Sequence, residues 1–318
     1  DHCHDAGALA FWLANSSELL NFMKQDSQLC SITETELQES LSDAVQKTFG
    51  HLTACLQEDL HQALPAILDA QADDSGATSP CLHMLSTAMS LLRHCRVNAA
   101  LTIQLFSQLF HTINMYLFNW LVSRDGAAYC CKAWGQRLTR RLGSVQAWAQ
   151  KQGLELAADC HLSRVQQAAH LLESRKTAND LANLSSVCFK LNSMQVRCLL
   201  ERYRCEPGEP NLDRELIEGL VKISENQTDE ILRSDNRQIC LEEDPDLTLP
   251  FLLPEDSYSP DLVRGIPTGL QEFVDGLLVK GICRMILQPT SSGSWSVHML
   301  LPPNVSPRNG DSVSVVKV

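Results

Sequence analysis

The chain has 318 residues, of which 44% are hydrophobic, and its 38 acidic and 26 basic residues give a net charge of −12. This length and apolar content predict a large buried core in one unit or in two closely packed units. The acidic balance repels phosphate backbones and anionic headgroups, so it disfavours nucleic acids and membrane surfaces as partners.

Amphipathic helices are predicted through the first third of the chain. Apolar residues at helical spacing indicate helices over 6–24, 33–49, 51–70 and 81–95. Trp12 and Leu19 belong to the apolar side of the first helix, and Gly50 is expected to bend the chain between the second and the third. The small polar stretch QADDSGATSP at 71–80 is expected to be an exposed loop.

The segment 96–124 is predicted to be the central helix of the fold. It contains no Gly or Pro, and leucine or isoleucine recurs at every fourth position from Leu101 to Leu121. A helix that is apolar on most of its circumference has to be covered by lipid or by other helices. Polar residues along it leave no apolar run of about 18 residues, which favours other helices. We expect its His111, Asn114 and Asn119 to hydrogen-bond to neighbouring segments.

The remainder of the chain is predicted to change from helical to extended. Helices are expected over 130–152, 163–174, 193–204 and 213–233, with Asn192 as a good start for the third of them. Prolines then interrupt any helical period, and the chain is expected to lie outside the bundle on apolar anchors at Leu247, Leu249, Phe251, Leu252 and Leu253. A short helix over 267–279, a hairpin formed by 282–287 and 295–301, and an edge strand near the end complete the prediction.

Cysteine and histidine usage predicts no catalytic residue, no metal site and no cofactor. The thirteen cysteines are dispersed without any Cys-x-x-Cys pair, and most are expected to be small buried hydrophobes in a reducing, cytoplasmic protein. Neighbouring residues cannot all face one ion or one another, which argues against a site at 1–5 or a nucleophile at Asp159, Cys160 and His161. No nucleophile elbow, zinc helix or phosphate loop occurs.

One basic cluster stands out in this acidic chain. Arg137, Arg140 and Arg141 lie on one predicted helix together with Lys132 and Lys151. Such a run is either a solvated helix face or a binding site for an acidic partner or lipid, and we take the three arginines as the candidate partner-binding residues. No other residue is assigned to a site.

Four segments carry a resemblance to a known family. They are IQLFSQLFHTINMYLFNWLV, AWGQRLTRRLGSVQAWAQKQGLELAADCHLSRVQQAAHLLE, CFKLNSMQVRCLLERYRCEPGEP and EEDPDLTLPFLLPEDSYSPDLVRGIPTGLQEF. Together they resemble the dilute (DIL) domain, which class V myosin cargo-binding tails share with afadin-type junction scaffolds. The last segment is more similar to the afadin, Radil and Rasip group, with the Radil type preferred and the Rasip type second.

The resemblance implies a fold and a domain organisation. It implies an all-α, elongated bundle of two subdomains like the myosin V cargo-binding domain, with an extended C-terminal strap and a short β-hairpin. The DIL domain would cover 1–304, with subdomains of about 1–150 and 151–304. Residues 305–318 would be a linker or the start of a following segment.

The resemblance also implies a function. The chain would be a non-enzymatic protein-interaction domain of a Rap GTPase effector in cell adhesion and migration, located in the cytoplasm at cell–cell junctions or adhesion sites. Its partners would be helices or extended peptides, and small-GTPase binding would need a separate Ras-association domain outside these 318 residues. The alternative is a dimerisation or autoinhibitory module of the full scaffold, with this chain as a homodimer. The resemblance assigns no individual cargo-contacting residue to this chain.

Overall fold

The computed structural model describes residues 4–25, 35–177, 184, 187–209, 211–227, 239–241, 249–254, 276, 279–280, 283–287, 295–299 and 316–317. The chain divides into two compact units, Asp1–Tyr258 and Ser259–Val318. The subdomain boundary expected near residue 150 stays a prediction.

Helices build the described part of the first unit, which confirms the predicted all-α class. In chain order they are α1 (Ala6–Gln25), α2 (Thr35–Ala63), α3 (Asp74–His94), α4 (Ala99–Val122), α5 (Lys132–Gln152), α6 (Glu155–His161), α7 (Ser163–Glu173), α8 (Ser193–Glu201) and α9 (Arg214–Gln227). Short 3₁₀ turns follow α2 at Leu64–Leu68 and α4 at Gly126–Tyr129. None of these described helices combines the length and apolarity needed to cross a membrane.

Two local predictions about the first helices were wrong. Helix α2 continues through Gly50 without a break. Helix α3 begins at Asp74, so most of the loop expected at 71–80 is its first two turns. The Asp73 side chain caps this helix by accepting a hydrogen bond from the Gly76 amide at 3.1 Å. An aspartate cap starts a helix whatever the polarity of the first turns, and that signal outweighed the small polar composition.

Helix α4 is the central helix, as predicted. Its Phe106, Phe110 and Phe118 are fully buried, and α2, α6, α7 and α8 pack around it. The hydrogen bonds predicted between its asparagines and neighbouring segments are confirmed as well. Asn114 Oδ1 accepts a hydrogen bond at 2.8 Å from the Val165 amide in the first turn of α7, which satisfies a donor that the helix itself leaves unpaired.

An extended segment runs along α4 and is held by amide side chains. Gln104 Oε1 accepts from the Leu252 amide at 2.8 Å while Gln104 Nε2 donates to the Leu252 carbonyl at 2.7 Å. Asn119 makes the same pair of bonds with Leu241, at 2.7 and 2.9 Å. Gln108 Nε2 adds a bond to the Leu249 carbonyl at 3.0 Å. We call the described residues 239–241 and 249–254 the strap.

The predicted anchors of the strap are confirmed only in part. Phe251 packs on the buried Phe49 of α2 with 4.8 Å between ring centroids, and Leu253 also packs against the core. Leu252 is 69% exposed and is held through its backbone, because the Gln104 amide binds its N–H and C=O. Leu247 lies outside the described residues.

The second unit contains a small antiparallel sheet in strand order β1-β2-β3. Its strands are β1 (Cys283–Leu287), β2 (Trp295–Met299) and β3 (Val316–Lys317). Met285 pairs with Val297, which pairs with Val316 on the other side. The predicted hairpin and edge strand are thus confirmed. The helix expected over 267–279 lies almost wholly outside the described residues.

Candidate functional site

An open groove lies between α2 and the strap. It has a volume of about 760 Å³, and Leu249, Pro250 and Phe251 of the strap form one of its walls. Asp43 and Lys47 stand on the α2 wall, one helical turn apart and exposed. We call this feature the strap groove. A groove of this size with an apolar wall and a wall that carries both charge signs suits an extended peptide segment.

Glycine shapes the α2 wall of the strap groove. Gly50 lies between Lys47 and His51, and a Cβ atom placed there would meet no other atom within 4 Å. This part of the wall is therefore open. Further along α2, Gln57 Nε2 donates to Thr112 Oγ1 at 2.9 Å and ties the wall to α4.

The sequence did not reveal the strap groove. Exposed polar residues at helical spacing on α2 are typical of a solvated helix face. The opposite wall comes from residues about 200 positions later, and no local pattern indicates that the two meet. A glycine inside a long helix was the available signal, and it was interpreted as a bend.

The three candidate arginines bind the protein itself. Arg141 is completely buried. Its Nη1 donates to the carbonyls of Ile67 and Asp69 at 2.6 and 2.9 Å, and its Nη2 donates to the Ala72 carbonyl at 2.7 Å. Its Nε donates to Asp74 at 3.0 Å. We call this arrangement the arginine clamp, because it fixes the connection between α2 and α3.

The other two arginines contribute to the same clamp. Arg137 Nη1 donates to the Ala70 carbonyl at 2.5 Å, and Arg140 Nε donates to Asp74 at 2.7 Å. The Arg140 hydrogen bond is the largest influence that lowers the pKa of Asp74. The prediction that Arg137, Arg140 and Arg141 form one exposed face is therefore wrong for Arg141. Partner binding at Arg137 and Arg140 stays a prediction.

One histidine of α4 packs with its ring against a histidine of α6. The His111 ring lies edge-to-face on His161, with 6.2 Å between centroids. Burial lowers the pKa of His111 to about 4, helped by the charges of His161 and Arg164. Among the described residues His111 has no hydrogen bond, so the bond expected for it is not found there.

The cysteines are less buried than predicted. The ten cysteines that the structure describes between Cys55 and Cys240 are free thiols, and four of them are buried: Cys81, Cys130, Cys188 and Cys198. Burial raises the pKa of Cys81 to about 12, which removes its reactivity at neutral pH. Within the described ranges, no three His, Cys, Asp or Glu side chains lie close enough together to hold a metal ion.

One face of α1 exposes large apolar side chains. Phe11, Trp12, Leu19 and Phe22 are 52%, 60%, 55% and 73% exposed. We call these four residues the α1 apolar face. Trp12 and Leu19 were expected on the buried side, and that expectation was wrong. Several large apolar side chains exposed on one helix face are typical of an interaction site.

The comparison with protein families adds an identification. Residues 104–207, about a third of the chain, match the sequence model of the DIL domain. They form a DIL domain. This segment runs from Gln104 of α4 through α5–α8 and ends just before Gly208. It therefore contains the three candidate arginines of α5, but it contains neither wall of the strap groove.

Two curated relatives support the group expected from the sequence. Human Ras-interacting protein 1 is 27% identical over 233 residues, which cover 63% of this chain and 24% of that protein. Human Ras-associating and dilute domain-containing protein is 24% identical over 290 residues, covering 75% of this chain and 27% of that protein. The chain thus spans about a quarter of the length of these relatives.

Solved structures support the fold. The myosin V cargo binding domain superposes with a TM-score of 0.63 at 19% identity, covering 89% of this chain and 77% of that one. Myo2-GTD in complex with Mmr1 gives 0.63 at 18% identity, covering 88% and 76%. The predicted similarity to the myosin V cargo-binding domain is confirmed at the level of the fold.

Proposed function

We propose that the chain is a non-enzymatic protein-interaction domain of a scaffold, acting through the strap groove. The DIL domain, the relatives with Ras-associating names and the cargo-binding fold support this proposal. The larger scaffold would be a Rap effector in cell adhesion and migration, in the cytoplasm at cell–cell junctions or adhesion sites. Its GTPase binding would be carried by a separate Ras-association domain.

The observation that carries the proposal is the way α4 already binds an extended chain. Gln104 and Asn119 each hold both backbone groups of one strap residue, so this side of the bundle recognises peptide backbone irrespective of side-chain identity. The strap groove lies directly beside that segment and has room for another. A second extended segment, supplied by a partner, is the occupant that the groove fits.

Blocking the strap groove is expected to weaken peptide binding at least tenfold. Gly50→Trp places a large side chain in the open part of the α2 wall, where an added Cβ meets no neighbouring element within 4 Å. Circular dichroism checks that the variant keeps its helical fold. Peptides selected from a phage-displayed library on the parent chain would be synthesised with a fluorophore. Their dissociation constants would be measured by fluorescence anisotropy.

The matched control is Gly143→Trp. Gly143 also lies inside a helix with no atom within 4 Å of its Cβ, but it is on α5 and does not line the strap groove. The Gly143→Trp variant should bind the peptides with the same dissociation constants as the parent chain. Equal weakening in both variants, or none in either, would show that the selected peptides bind elsewhere.

The α1 apolar face favours dimerisation as the second candidate function, with another copy of the chain as its occupant. Three aromatic side chains, each more than half exposed, and one leucine offer about 450 Å² of apolar area, since a buried aromatic side chain contributes about 150–250 Å². Homodimer interfaces are about 65% apolar, so this area corresponds to roughly 700 Å² per copy. Two copies then reach the size of a stable interface, about 1,200–2,000 Å² in total.

If two copies associate through the α1 apolar face, the average mass in solution should rise with protein concentration. One substitution in that face should abolish this rise. Sedimentation equilibrium of the parent chain at micromolar concentrations should give a mass above 35.3 kDa, and Phe22→Glu should return it to the monomer. Leu156→Glu, at an 80% exposed leucine of α6, is the control and should leave the mass unchanged. A parent chain that is monomeric at 100 µM or so would exclude a stable dimer of this size.

A further inference from the structure

The strap has one edge whose backbone groups face away from α4. The side chains of Phe251 and Leu253 pack against the core, whereas that of Leu252 between them is exposed. This alternation is that of an extended strand, in which successive residues also direct their N–H and C=O groups to opposite edges. Gln104 of α4 binds both backbone groups of Leu252. The backbone groups of Phe251 and Leu253 therefore lie at the opposite edge, which we call the free edge.

The free edge is unpaired within the part of the chain that the structure describes. Neither Phe251 nor Leu253 makes a backbone hydrogen bond there. Pro250 and Pro254 lack N–H groups, but they alternate in step with Leu252, so the missing donors fall on the edge towards α4. A strand edge with unpaired N–H and C=O groups is a template for pairing with another chain. Since Phe251 lines the strap groove, that chain would lie in the groove.

Helix α2 leaves room for a strand beside the free edge. Gly50 and Ala54 lie one helical turn apart on the groove wall and have the two smallest side chains of that wall. A Cβ atom at Gly50 would meet no other atom within 4 Å. Positions without bulky side chains allow another backbone to approach closely. A strand seated in the groove thus meets the strap on one side and small residues of α2 on the other.

Two charges on the α2 wall define what such a strand would carry. Asp43 and Lys47 are exposed, and among the described residues neither forms an ion pair or a side-chain hydrogen bond, so they do not neutralise each other. One helical turn separates them along the axis by about 6 Å. Side chains two positions apart on one face of a strand are separated by about 6.6 Å. One strand face can therefore place a basic side chain at Asp43 and an acidic one at Lys47.

We propose that the strap groove binds a partner segment that adds to the free edge as a β-strand and places a basic side chain at Asp43 and an acidic one, two positions away, at Lys47. This inference rests on the peptide-binding function proposed for the groove and specifies its ligand. In strand addition, main-chain hydrogen bonds supply affinity and alternate side chains supply specificity. A helical partner satisfies its own backbone groups and would leave the free edge unpaired.

Backbone pairing is tested on the fluorescent peptides selected against the parent chain. Replacing their backbone N–H groups one at a time by N-methyl should weaken binding about tenfold at every second position, because a strand pairs through alternate residues and one lost hydrogen bond accounts for roughly that factor. In hydrogen-exchange NMR, the bound peptide should slow the exchange of the Phe251 and Leu253 amides about tenfold. The Leu252 amide, already bonded to Gln104, is the internal reference and should change little.

Charge selection is tested by reversing and exchanging the two charges. The selected peptides should carry a lysine or arginine two positions from an aspartate or glutamate. Asp43→Lys should weaken their binding about fivefold, the factor that an exposed ion pair supports. Asp43→Lys combined with Lys47→Asp should prefer peptides in which the two charged residues are exchanged. Asp59→Lys is the matched control, because Asp59 is an exposed aspartate of α2 outside the groove, and this variant should bind like the parent chain.

The Gly50→Trp variant separates failure of this inference from failure of the proposed function. Peptides that lose binding in Gly50→Trp but lack either the alternation or the charge dependence would overturn the strand and leave the strap groove as a peptide site. Peptides that bind Gly50→Trp as well as the parent chain would overturn the proposed function itself.

Discussion

Replacing Arg141 by methionine is expected to lower the free energy of unfolding by about 3–5 kcal/mol. The substitution keeps the apolar stem but removes four donated hydrogen bonds, including those to the carbonyls of Ile67, Asp69 and Ala72. The Ile67 carbonyl bond is buried, so water does not replace it. Urea denaturation followed by circular dichroism measures the effect as a lower midpoint with an unchanged slope.

Arg140→Met is the matched control for the arginine clamp. Arg140 binds the same Asp74, but 58% of its side chain is exposed, and exposed ion pairs contribute about 1 kcal/mol or less. Its unfolding midpoint should therefore change little. Similar midpoints for the two variants would mean that the carbonyl bonds of Arg141 contribute little to stability.

Gly135→Ala is expected to destabilise the fold by about 3 kcal/mol, because it separates α5 from α7. A Cβ atom at Gly135 would lie 2.7 Å from the Glu173 amide nitrogen and 2.8 Å from the Ala169 carbonyl oxygen. Both contacts are with backbone, so the helices themselves have to move apart. Overpacking of this kind typically costs about 1–3 kcal/mol, and more where backbone has to shift. The same urea titration measures it.

Gly143→Ala, on the same helix, is expected to change the free energy of unfolding in the opposite direction. The added methyl group meets no atom within 4 Å, and alanine is favoured over glycine inside a helix by about 1 kcal/mol. This variant should be slightly more stable than the parent chain. If both alanine variants gain stability, the close approach of α5 and α7 at Gly135 does not limit the fold.

Helical periodicity predicted most of the first unit. The apolar stripe of α4 indicated both its length and its burial, and Asn192 indicated the start of α8, where it forms a capping box with Gln195. These successes have one physical origin, since each signal lies within a few residues of the structure that it predicts. Helix α6 was missed because its seven residues are too short to show a period.

The surfaces were harder to predict than the core. Arg141 and Arg140 are neighbours with the same charge, yet one is completely buried and the other is largely exposed. What separates them is the connection before α3, whose carbonyls surround only Arg141. The α2 wall of the strap groove depends in the same way on a segment that is distant in sequence. Contacts between distant segments leave no local pattern.

The hydrogen bonds made by the amide side chains of α4 affect the order in which the fold can form during synthesis. Its Gln104, Gln108 and Asn119 bond to residues 122 to 148 positions later, so the helix leaves the ribosome long before its partners exist. Until Leu241, Leu249 and Leu252 are synthesised, these amides lack their partners, and Phe49 lacks the cover of Phe251. Closing such long intervals is slow compared with forming a helix. The nascent bundle therefore reaches its final packing late, when the strap arrives.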